Sequence, residues 1–170
     1  KRIRSLQQKK FRDESGLFVV EGEKMVQEAI NSPFHVENVY KKEDIGADAM
    51  GRISSLSSPS PVLAVVHKPE DSIINDITEL QSLINKGGLY LALDAIRDPG
   101  NLGTILRIAD WFGIDAVFAS KDTVDVFNPK VVQATMGAIL RVRVHYLKLA
   151  DFLRSTAESG VAVYGTMLEG

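Results

Sequence analysis

The segment 89–118, LYLALDAIRDPGNLGTILRIADWFGIDAVF, predicts the fold of the chain. It opens with a short apolar run, 89–93, of the kind that forms a buried strand. After a turn-rich stretch at 98–101, apolar residues recur at helical spacing, and the helix is predicted to end at Gly113. A second strand is predicted at 116–119. Because strand, helix and strand in this order form a crossover connection, the segment predicts a parallel sheet. The residues predicted to share the buried face of the helix are Leu102, Ile105, Leu106, Ala109 and Phe112.

The loop between the first strand and the helix is the predicted ligand site. Ligands of parallel sheets bind at the carboxyl ends of the strands, where such loops lie. Gly100 and Gly103 allow close approach of the backbone. Asn101 is predicted either to cap the helix or to offer its amide to a ligand. Arg107 falls on the helix side opposite the apolar residues, where a guanidinium can bind phosphate through two hydrogen bonds.

The stretch DPGNLGTILRIADWFG resembles the first motif of the SpoU (TrmH) family of RNA 2′-O-ribose methyltransferases. The positions that match are Asp98, Pro99, Asn101, Gly103, Arg107, Ala109, Phe112 and Gly113. The resemblance implies methyl transfer from S-adenosylmethionine to a ribose 2′-hydroxyl. It also implies catalytic roles for Arg107, at the hydroxyl, and for Asn101.

A basic N-terminal stretch precedes the first acidic residue, Asp13. We expect a helix over residues 1–12, and Lys9, Lys10 and Arg12 are candidate RNA contacts because clustered cations attract phosphates. The alternative is a solvated helix face. KKFRDESGLFVVEGEKMVQEAI is similar to the substrate-binding domain that precedes the catalytic domain in many SpoU enzymes.

The first part of the chain is predicted to be a small alternating α/β unit. Its predicted strands are 17–20, 36–40 and 62–66, and its predicted helices are 23–31 and 44–56. A further helix is predicted over 73–85, beyond a polar linker. We place the domain boundary near Asp71, so that residues 1–71 form an RNA substrate-binding domain and residues 72–170 the methyltransferase domain. The expected fold is therefore a small α/β RNA-binding domain followed by a parallel-sheet α/β methyltransferase domain of the SPOUT type.

A second motif begins at Asn128, in NPKVVQATMGAILRVRV. Asn128 is the predicted N-cap and Pro129 the first residue of a helix that runs to about Leu140. The segment resembles the next conserved block of the family, although Gln133 stands where a basic residue is common. Lys130 is a cation in the first helical turn, which the helix dipole disfavours, so we regard it either as an RNA phosphate contact or as an exposed lysine. A strand at 142–146, a helix at 149–158 and a fourth strand at 161–164 are predicted to follow.

By resemblance, the loop after the fourth strand carries what this chain has of the cofactor site. Its candidate cofactor-binding residues are Gly165, Thr166, Met167 and Leu168. Two later family motifs, which are tied in a trefoil knot and form most of the S-adenosylmethionine pocket, do not occur in these 170 residues. We therefore expect that the natural chain continues or that these residues are a fragment.

Composition narrows the function classes. The chain has no cysteine, so thiol catalysis, disulfides and cysteine-based zinc sites are excluded, and a cytoplasmic location is expected. We expect no metal site and no membrane partner, since apolar runs are too short to span a bilayer. The net charge of −2 does not by itself indicate a nucleic-acid partner.

Three functions remain open on this reading. The first is S-adenosylmethionine-dependent methylation of structured RNA, with ribosomal RNA favoured by the two-domain layout and tRNA as the alternative. The second is a non-catalytic RNA-binding protein of the same fold. A nucleotide-binding α/β domain is disfavoured, because no glycine-rich dinucleotide or phosphate-loop motif follows a strand. The family resemblance also implies a homodimer formed through the catalytic domain.

Overall fold

Two three-stranded sheets form the framework of the protein. The structure, a computed structural model, describes residues 2–69, 84 and 87–166. The first unit contains α1 (Arg2–Ser5), α2 (Lys9–Ser15), β1 (Leu17–Glu21), α3 (Glu23–Asn31), β2 (Val36–Lys41), α4 (Lys42–Ile45), α5 (Ala47–Ile53) and β3 (Val62–His67). The second unit contains β4 (Tyr90–Leu93), α6 (Pro99–Trp111), β5 (Ala116–Ser120), α7 (Pro129–Thr135), a 3-10 turn (Ala138–Leu140), β6 (Val144–Leu147) and α8 (Leu149–Glu158).

The two sheets differ in strand direction. The first has the order β1-β3-β2 and is antiparallel, with Val20 opposite Ala64. The second has the order β4-β5-β6 and is parallel, with Leu93 opposite Ala119. The parallel sheet predicted from the segment 89–118 is therefore confirmed.

One hydrophobic cluster joins the two units. Phe18 and Val26 from the first unit belong to the same buried cluster as Leu102, Leu106 and Val117 from the second. The opposite face of the parallel sheet is covered by α8, where the rings of Phe118 and Phe152 lie 4.4 Å apart. Burying apolar surface contributes about 25 cal/mol per Å². The two units are therefore held together by the same hydrophobic force that holds each of them.

The single helix predicted over residues 1–12 is instead two helices. The chain breaks between α1 and α2, where Leu6 turns into the core and is 2% exposed. The backbone carbonyls of Leu6 and Gln7 accept hydrogen bonds from the Arg12 side chain. Since those carbonyls are satisfied by a side chain, the break leaves no buried acceptor unpaired. Helix α2 also continues to Ser15, beyond the predicted end at residue 12, and Gly16 adopts the left-handed conformation that ends it.

Two other predicted helices end earlier than expected. The helix predicted over 44–56 is interrupted at Gly46, whose φ is 84°, and becomes α4 and α5. Helix α7 stops at Thr135 rather than near Leu140, because Met136 and Gly137 both have positive φ. The Glu28 carboxylate occupies the space where a side chain of Gly137 would begin, so only glycine fits at this turn.

One residue predicted to lie on the buried face of a helix is exposed. Phe112 is 70% exposed. Phe112 is the C-cap of α6, where the helix ends and its side chain leaves the buried face. Helical periodicity counts residues along a helix but does not show where neighbouring elements stop covering it.

The last predicted strands also differ from the structure. The third strand of the parallel sheet is Val144–Leu147 rather than 142–146. Residues 161–166 have no regular secondary structure, and all six are exposed. A strand requires a hydrogen-bonded neighbour, and the described part of the chain pairs none with this segment. The predicted helix 73–85 and the boundary near Asp71 lie outside the described residues, apart from position 84.

Candidate functional site

The loops that follow β4 and β5 are tied to each other at the carboxyl edge of the parallel sheet. The backbone N–H of Ala95 donates to the Ser120 hydroxyl at 2.8 Å, and that of Ile96 donates to the Thr123 hydroxyl at 3.3 Å. The N–H of Val124 donates in turn to the carbonyl of Ile96 at 2.8 Å. Sequence reasoning missed these hydroxyls. Their signal was a serine and a threonine placed directly after a buried strand, where ligand loops begin.

Ala95 is held in a conformation that alanine rarely adopts. Its φ is 52°, in the left-handed region. Such a conformation costs about 1–3 kcal/mol and persists only where the surroundings enforce it. The hydrogen bond from its N–H to Ser120 is one such constraint. The loop leading to the predicted site is therefore fixed in place before any ligand binds.

Asp98, rather than Asn101, caps the helix that carries the site. The Asp98 carboxylate accepts a hydrogen bond from the N–H of Asn101 at 2.7 Å, and Pro99 follows at the first helical position. Asn101 therefore lies inside the first turn, and its predicted capping role is wrong. Its side chain is exposed, which leaves the amide available to a ligand.

The exposed face of α6 changes character along the helix. Asn101, Thr104 and Arg107 follow one another at three-residue intervals, and all three are exposed. The Arg107 guanidinium has no hydrogen bond or ion pair within residues 2–69, 84 and 87–166. One turn further on, Trp111 is 86% exposed. The helix thus presents a polar strip that ends in a cation, followed by an apolar end.

Helix α6 crosses α7 at Gly103. A side chain at this position would begin 2.9 Å from the backbone carbonyl carbon of Ala134, and closer still to its Cβ atom. Such a contact is too short for any residue except glycine, so Gly103 is required for helix packing rather than for a ligand. Gly100, by contrast, is exposed and faces only the Asp98 carboxylate at 3.1 Å.

The start of α7 agrees with its prediction. The Asn128 side chain accepts a hydrogen bond from the N–H of Lys130 at 2.9 Å, and Pro129 is the first helical residue. Lys130 is exposed. Lys130 lies one turn from Ala134, and Arg107 lies one turn from Gly103. Each cation is therefore about 6 Å along its helix axis from the point where the helices cross.

A buried tyrosine fixes the loop that leads to α7. The Tyr146 hydroxyl donates to the carbonyl of Val124 at 2.6 Å and accepts from the N–H of Val126 at 2.8 Å. Burial, with the nearby Asp125 carboxylate, raises the pKa of the phenol well above its ordinary value. The hydroxyl therefore stays protonated and remains a donor at any physiological pH.

The three basic N-terminal candidates separate into two groups. Lys9 and Lys10 are exposed and form ion pairs along α2 with Asp13 and Glu14. Such exposed pairs contribute only about 0–1 kcal/mol and are readily exchanged for another anion. Arg12 is 1% exposed and ion-paired with Asp125. Its prediction as an RNA contact is wrong, because no RNA phosphate can reach a buried guanidinium.

The described residues do not enclose a cofactor. Gly165 and Thr166 lie in the exposed segment 161–166, and a side chain at Gly165 would meet nothing within 4 Å. Met167 and Leu168 lie outside the described residues. A groove of about 670 Å³ exists on the first unit between α3 and β2, lined by Val26, Ile30 and Val39 among others, but it is on a different unit from Arg107.

No described helix has both the length and the apolar content needed to cross a lipid bilayer.

Two family models match the chain, one on each unit. The SpoU rRNA Methylase family matches residues 88–170, and the MRM3-like substrate binding domain matches residues 1–79. A 23S rRNA (guanosine(2553)-2′-O)-methyltransferase of Bacillus subtilis is 30% identical over 98% of this chain and 68% of its own length. The human mitochondrial rRNA methyltransferase 3 is 29% identical over 78% of this chain and 35% of its own length. The chain thus spans about two thirds of the first relative and about a third of the second.

Solved structures agree in fold over nearly the whole chain. A TrmH-family protein from Porphyromonas gingivalis is 35% identical with a TM-score of 0.82, covering 99% of this chain and 70% of that one. An rRNA methyltransferase from Sinorhizobium meliloti is 32% identical with a TM-score of 0.80, over 99% and 69%. An AdoMet-bound rRNA methyltransferase from the same organism is 29% identical with a TM-score of 0.72, over 92% and 64%.

Proposed function

The chain belongs to the SpoU family of rRNA methylases, and we propose that it acts in an enzyme that methylates a ribose 2′-hydroxyl of ribosomal RNA. S-adenosylmethionine, the family's cofactor, supplies the methyl group. The observation that carries the proposal is the exposed Arg107 guanidinium without a protein partner in the described part of the chain. It lies on a helix that begins at the carboxyl end of a parallel strand, behind a loop whose conformation is fixed.

Arg107 is suited to stabilise negative charge rather than to remove a proton. A guanidinium stays protonated in proteins, so it does not act as a free base. S-adenosylmethionine, when bound, would supply an activated methyl group, and the ribose 2′-hydroxyl that accepts it would have to lose its proton. We assign Arg107 to the neighbouring RNA phosphate, whose oxygen takes the proton, and to the developing alkoxide. Once the guanidinium binds this phosphate, it lies beside the developing negative charge and stabilises it.

Asn101 and Thr104 extend the polar strip of α6 toward the start of the helix. The Asn101 amide offers both a donor and an acceptor, which matches the hydroxyls of a ribose. We assign Asn101 to orienting the sugar beside Arg107. Lys130, about one turn from the helix crossing, is assigned to a second phosphate.

On the first unit, Lys9 and Lys10 are assigned to RNA that lies away from the target nucleotide. Both are exposed cations on one short helix. Phosphate contacts of this kind add affinity without sequence preference and weaken as salt rises. The first unit would then dock the RNA while the second carries out the chemistry.

A homodimer and a cytoplasmic location belong to the same proposal. Ile108, Trp111 and Phe112 are 49%, 86% and 70% exposed at the apolar end of α6. Large exposed side chains in one place are typical of a protein interface. We assign this face to a second copy, which would place Arg107 at the edge of the interface. The dimer would be formed through the second unit.

The test uses the whole natural protein, tritiated S-adenosylmethionine and unmodified ribosomal RNA made by transcription. We expect label in the large-subunit RNA, and resistance of one internucleotide bond to alkali, because a methylated 2′-oxygen cannot attack its phosphate. A transcript with deoxyribose at that nucleotide should accept no methyl group, since the 2′-hydroxyl is the acceptor.

Three results would contradict the proposal in different ways. Transfer to a tRNA transcript in preference to ribosomal RNA would favour the tRNA alternative. RNA binding without any transfer would favour a non-catalytic RNA-binding protein. Transfer that persists on the deoxyribose transcript would place the methyl group on a base.

A further inference from the structure

Arg12 connects the two units through a buried set of hydrogen bonds. Its Nε and Nη2 atoms donate to Oδ2 of Asp125 at 3.1 and 2.6 Å, across 113 residues of sequence. Its Nη1 atom donates to the carbonyls of Leu6 and Gln7 at 2.8 and 2.9 Å. The side chains of Arg12 and Asp125 are 2% and 11% exposed. Each nitrogen of the guanidinium is therefore engaged, and the group holds one fixed orientation.

Asp125 organises the turn that starts α7. Its other carboxylate oxygen, Oδ1, accepts a hydrogen bond from the N–H of Phe127 at 3.0 Å. Its backbone carbonyl accepts from the N–H of Asn128 at 2.9 Å. Asn128 then caps the helix through the N–H of Lys130. A continuous series of hydrogen bonds thus runs from the first unit to the residue that presents Lys130.

A second connection lies at a separate point of the interface. The Arg141 guanidinium contacts Glu28 of α3 at 2.9 Å and Asp110 of α6 at 2.8 Å. Hydrogen bonds to Asp110 and then to Glu28 raise the pKa of Arg141 above its ordinary value, so the charge is permanent. Asp110 lies three residues after Arg107. Two connections at different points restrict rotation of one unit about the other, which a single connection would allow.

We propose that Arg12 and Asp125 form a positioning pair that decides which nucleotide of a docked RNA reaches Arg107. The inference rests on the function proposed above. A buried ion pair adds little net stability compared with apolar residues of the same size, whereas it accepts only one geometry. The pair therefore holds the RNA-docking lysines of α2 at a fixed separation from Arg107 and Lys130. RNA held by the first unit then presents one ribose to the second.

The first experiment measures where methyl groups are placed. The variants are Arg12→Met, Asp125→Asn and the two combined, and Glu21→Gln is the control. Glu21 is a buried carboxylate whose hydrogen bonds, among the described residues, stay within the first unit: to Ser54 at 2.5 Å and to Ser55 at 2.6 and 2.8 Å. Glu21→Gln is therefore expected to lower the stability of the protein without loosening the contact between the two units. All variants are assayed well below their unfolding temperatures, with kcat, KM for RNA and the methylated position determined.

We expect the two single variants to lower kcat by about 10²-fold, because a misplacement of about 1 Å has this effect on a bound reactant. KM for S-adenosylmethionine should stay within about twofold, and methyl groups should appear on neighbouring nucleotides. Glu21→Gln should keep one methylated position and a kcat near that of the wild type. A single methylated position with wild-type kcat in folded Arg12→Met would overturn the inference.

The second experiment does not depend on activity. Because the chain has no cysteine, spin labels can be attached at Asp48→Cys in the first unit and Glu158→Cys in the second, both exposed positions. Labelled protein is diluted with excess unlabelled protein, so that each proposed dimer carries labels on one subunit. Pulsed electron paramagnetic resonance should then give one narrow distance distribution for the otherwise unchanged protein and for Glu21→Gln. The distribution should broaden or shift in Arg12→Met. An unchanged distribution in Arg12→Met contradicts the inference even if the protein methylates ribosomal RNA. If no RNA is methylated, the proposed function fails, and this distance measurement still decides whether the pair fixes the two units.

Discussion

Arg12 and Arg107 lie in the two stretches that sequence marks as RNA-facing, yet the structure uses them in opposite ways. Arg12 is 1% exposed and bonded to Asp125 and to two backbone carbonyls. Arg107 is exposed on α6. A buried guanidinium must have all its partners within the protein, whereas an exposed one keeps its donors for a ligand. The difference shows that two arginines with a similar sequence signal can differ in place, one buried in the fold and one exposed to solvent.

The largest expected difference is in stability between two matched variants. Arg12→Met leaves the Asp125 charge buried without its cation, which costs about 3–5 kcal/mol. Arg107→Met removes an exposed side chain and should change the free energy of unfolding by no more than about 0.5 kcal/mol. Urea unfolding followed by circular dichroism measures both. Equal losses in the two variants would mean that Arg12 is not a special part of the interface.

Activity should give the reverse order. Arg107→Ala is expected to lower kcat by about 10²–10³-fold, the usual loss when a fixed donor to transition-state charge is removed. Arg107→Lys should recover little, because an ammonium group cannot make two parallel hydrogen bonds to one phosphate. Single-turnover methylation of ribosomal RNA measures both rates. Near-normal turnover by a folded Arg107→Ala protein would remove Arg107 from the chemistry.

Two glycines of the same turn provide a smaller contrast. Gly103→Ala forces a methyl group against the backbone of Ala134 and should cost about 1–3 kcal/mol, as overpacking does elsewhere. Gly100→Ala adds a methyl group at an exposed helical position, where the Asp98 carboxylate at 3.1 Å must move slightly, so the free energy of unfolding should change by less than about 1 kcal/mol in either direction. Thermal unfolding of the two variants tests this. If Gly103→Ala were the more stable of the two, the helices would not cross at that residue.

The smallest effect is expected at the cap of α6. Asp98→Ala removes the acceptor for the N–H of Asn101 and should cost about 1 kcal/mol, while Asp98→Asn keeps an acceptor and should cost less. The melting temperatures of the two variants show which substitution destabilises the protein more. Because the cap holds the loop in front of Arg107, we also expect Asp98→Ala to lower kcat more than Asp98→Asn. Identical kcat values in the two variants would show that the cap does not contribute to the site.

Local signals in the sequence predicted the elements that carry the site. The Asn128-Pro129 pair marked the start of α7, and the structure shows that cap. The apolar run before Asp94 and the helical spacing after it predicted β4, α6 and a parallel sheet, all of which are confirmed. The chemistry expected at Arg107, Asn101 and Lys130 stays a prediction, since exposure permits those roles without demonstrating them.

What sequence could not supply are contacts between distant residues. Asn101 matched a capping residue by type, but Asp98 occupied the position from which a side chain reaches the first free N–H groups. Phe112 belonged to the apolar period, but α6 ends there and its side chain is 70% exposed. The sequence did not predict a role for Ser120 and Thr123, because their role as acceptors depends on a loop that follows another strand.

The sequence by itself determined the order of strands and helices from β4 to α8, the N-cap at Asn128, the end of α6 before Gly113, and a family motif that contains Arg107. Each of these depends on residues a few positions apart, whose conformations are limited by sterics and local hydrogen bonds. Only the tertiary structure decided that Gly103 is a packing residue and that Arg12 joins two units. Those roles depend on Ala134 and Asp125, which lie far along the chain and become neighbours only when the shared core forms.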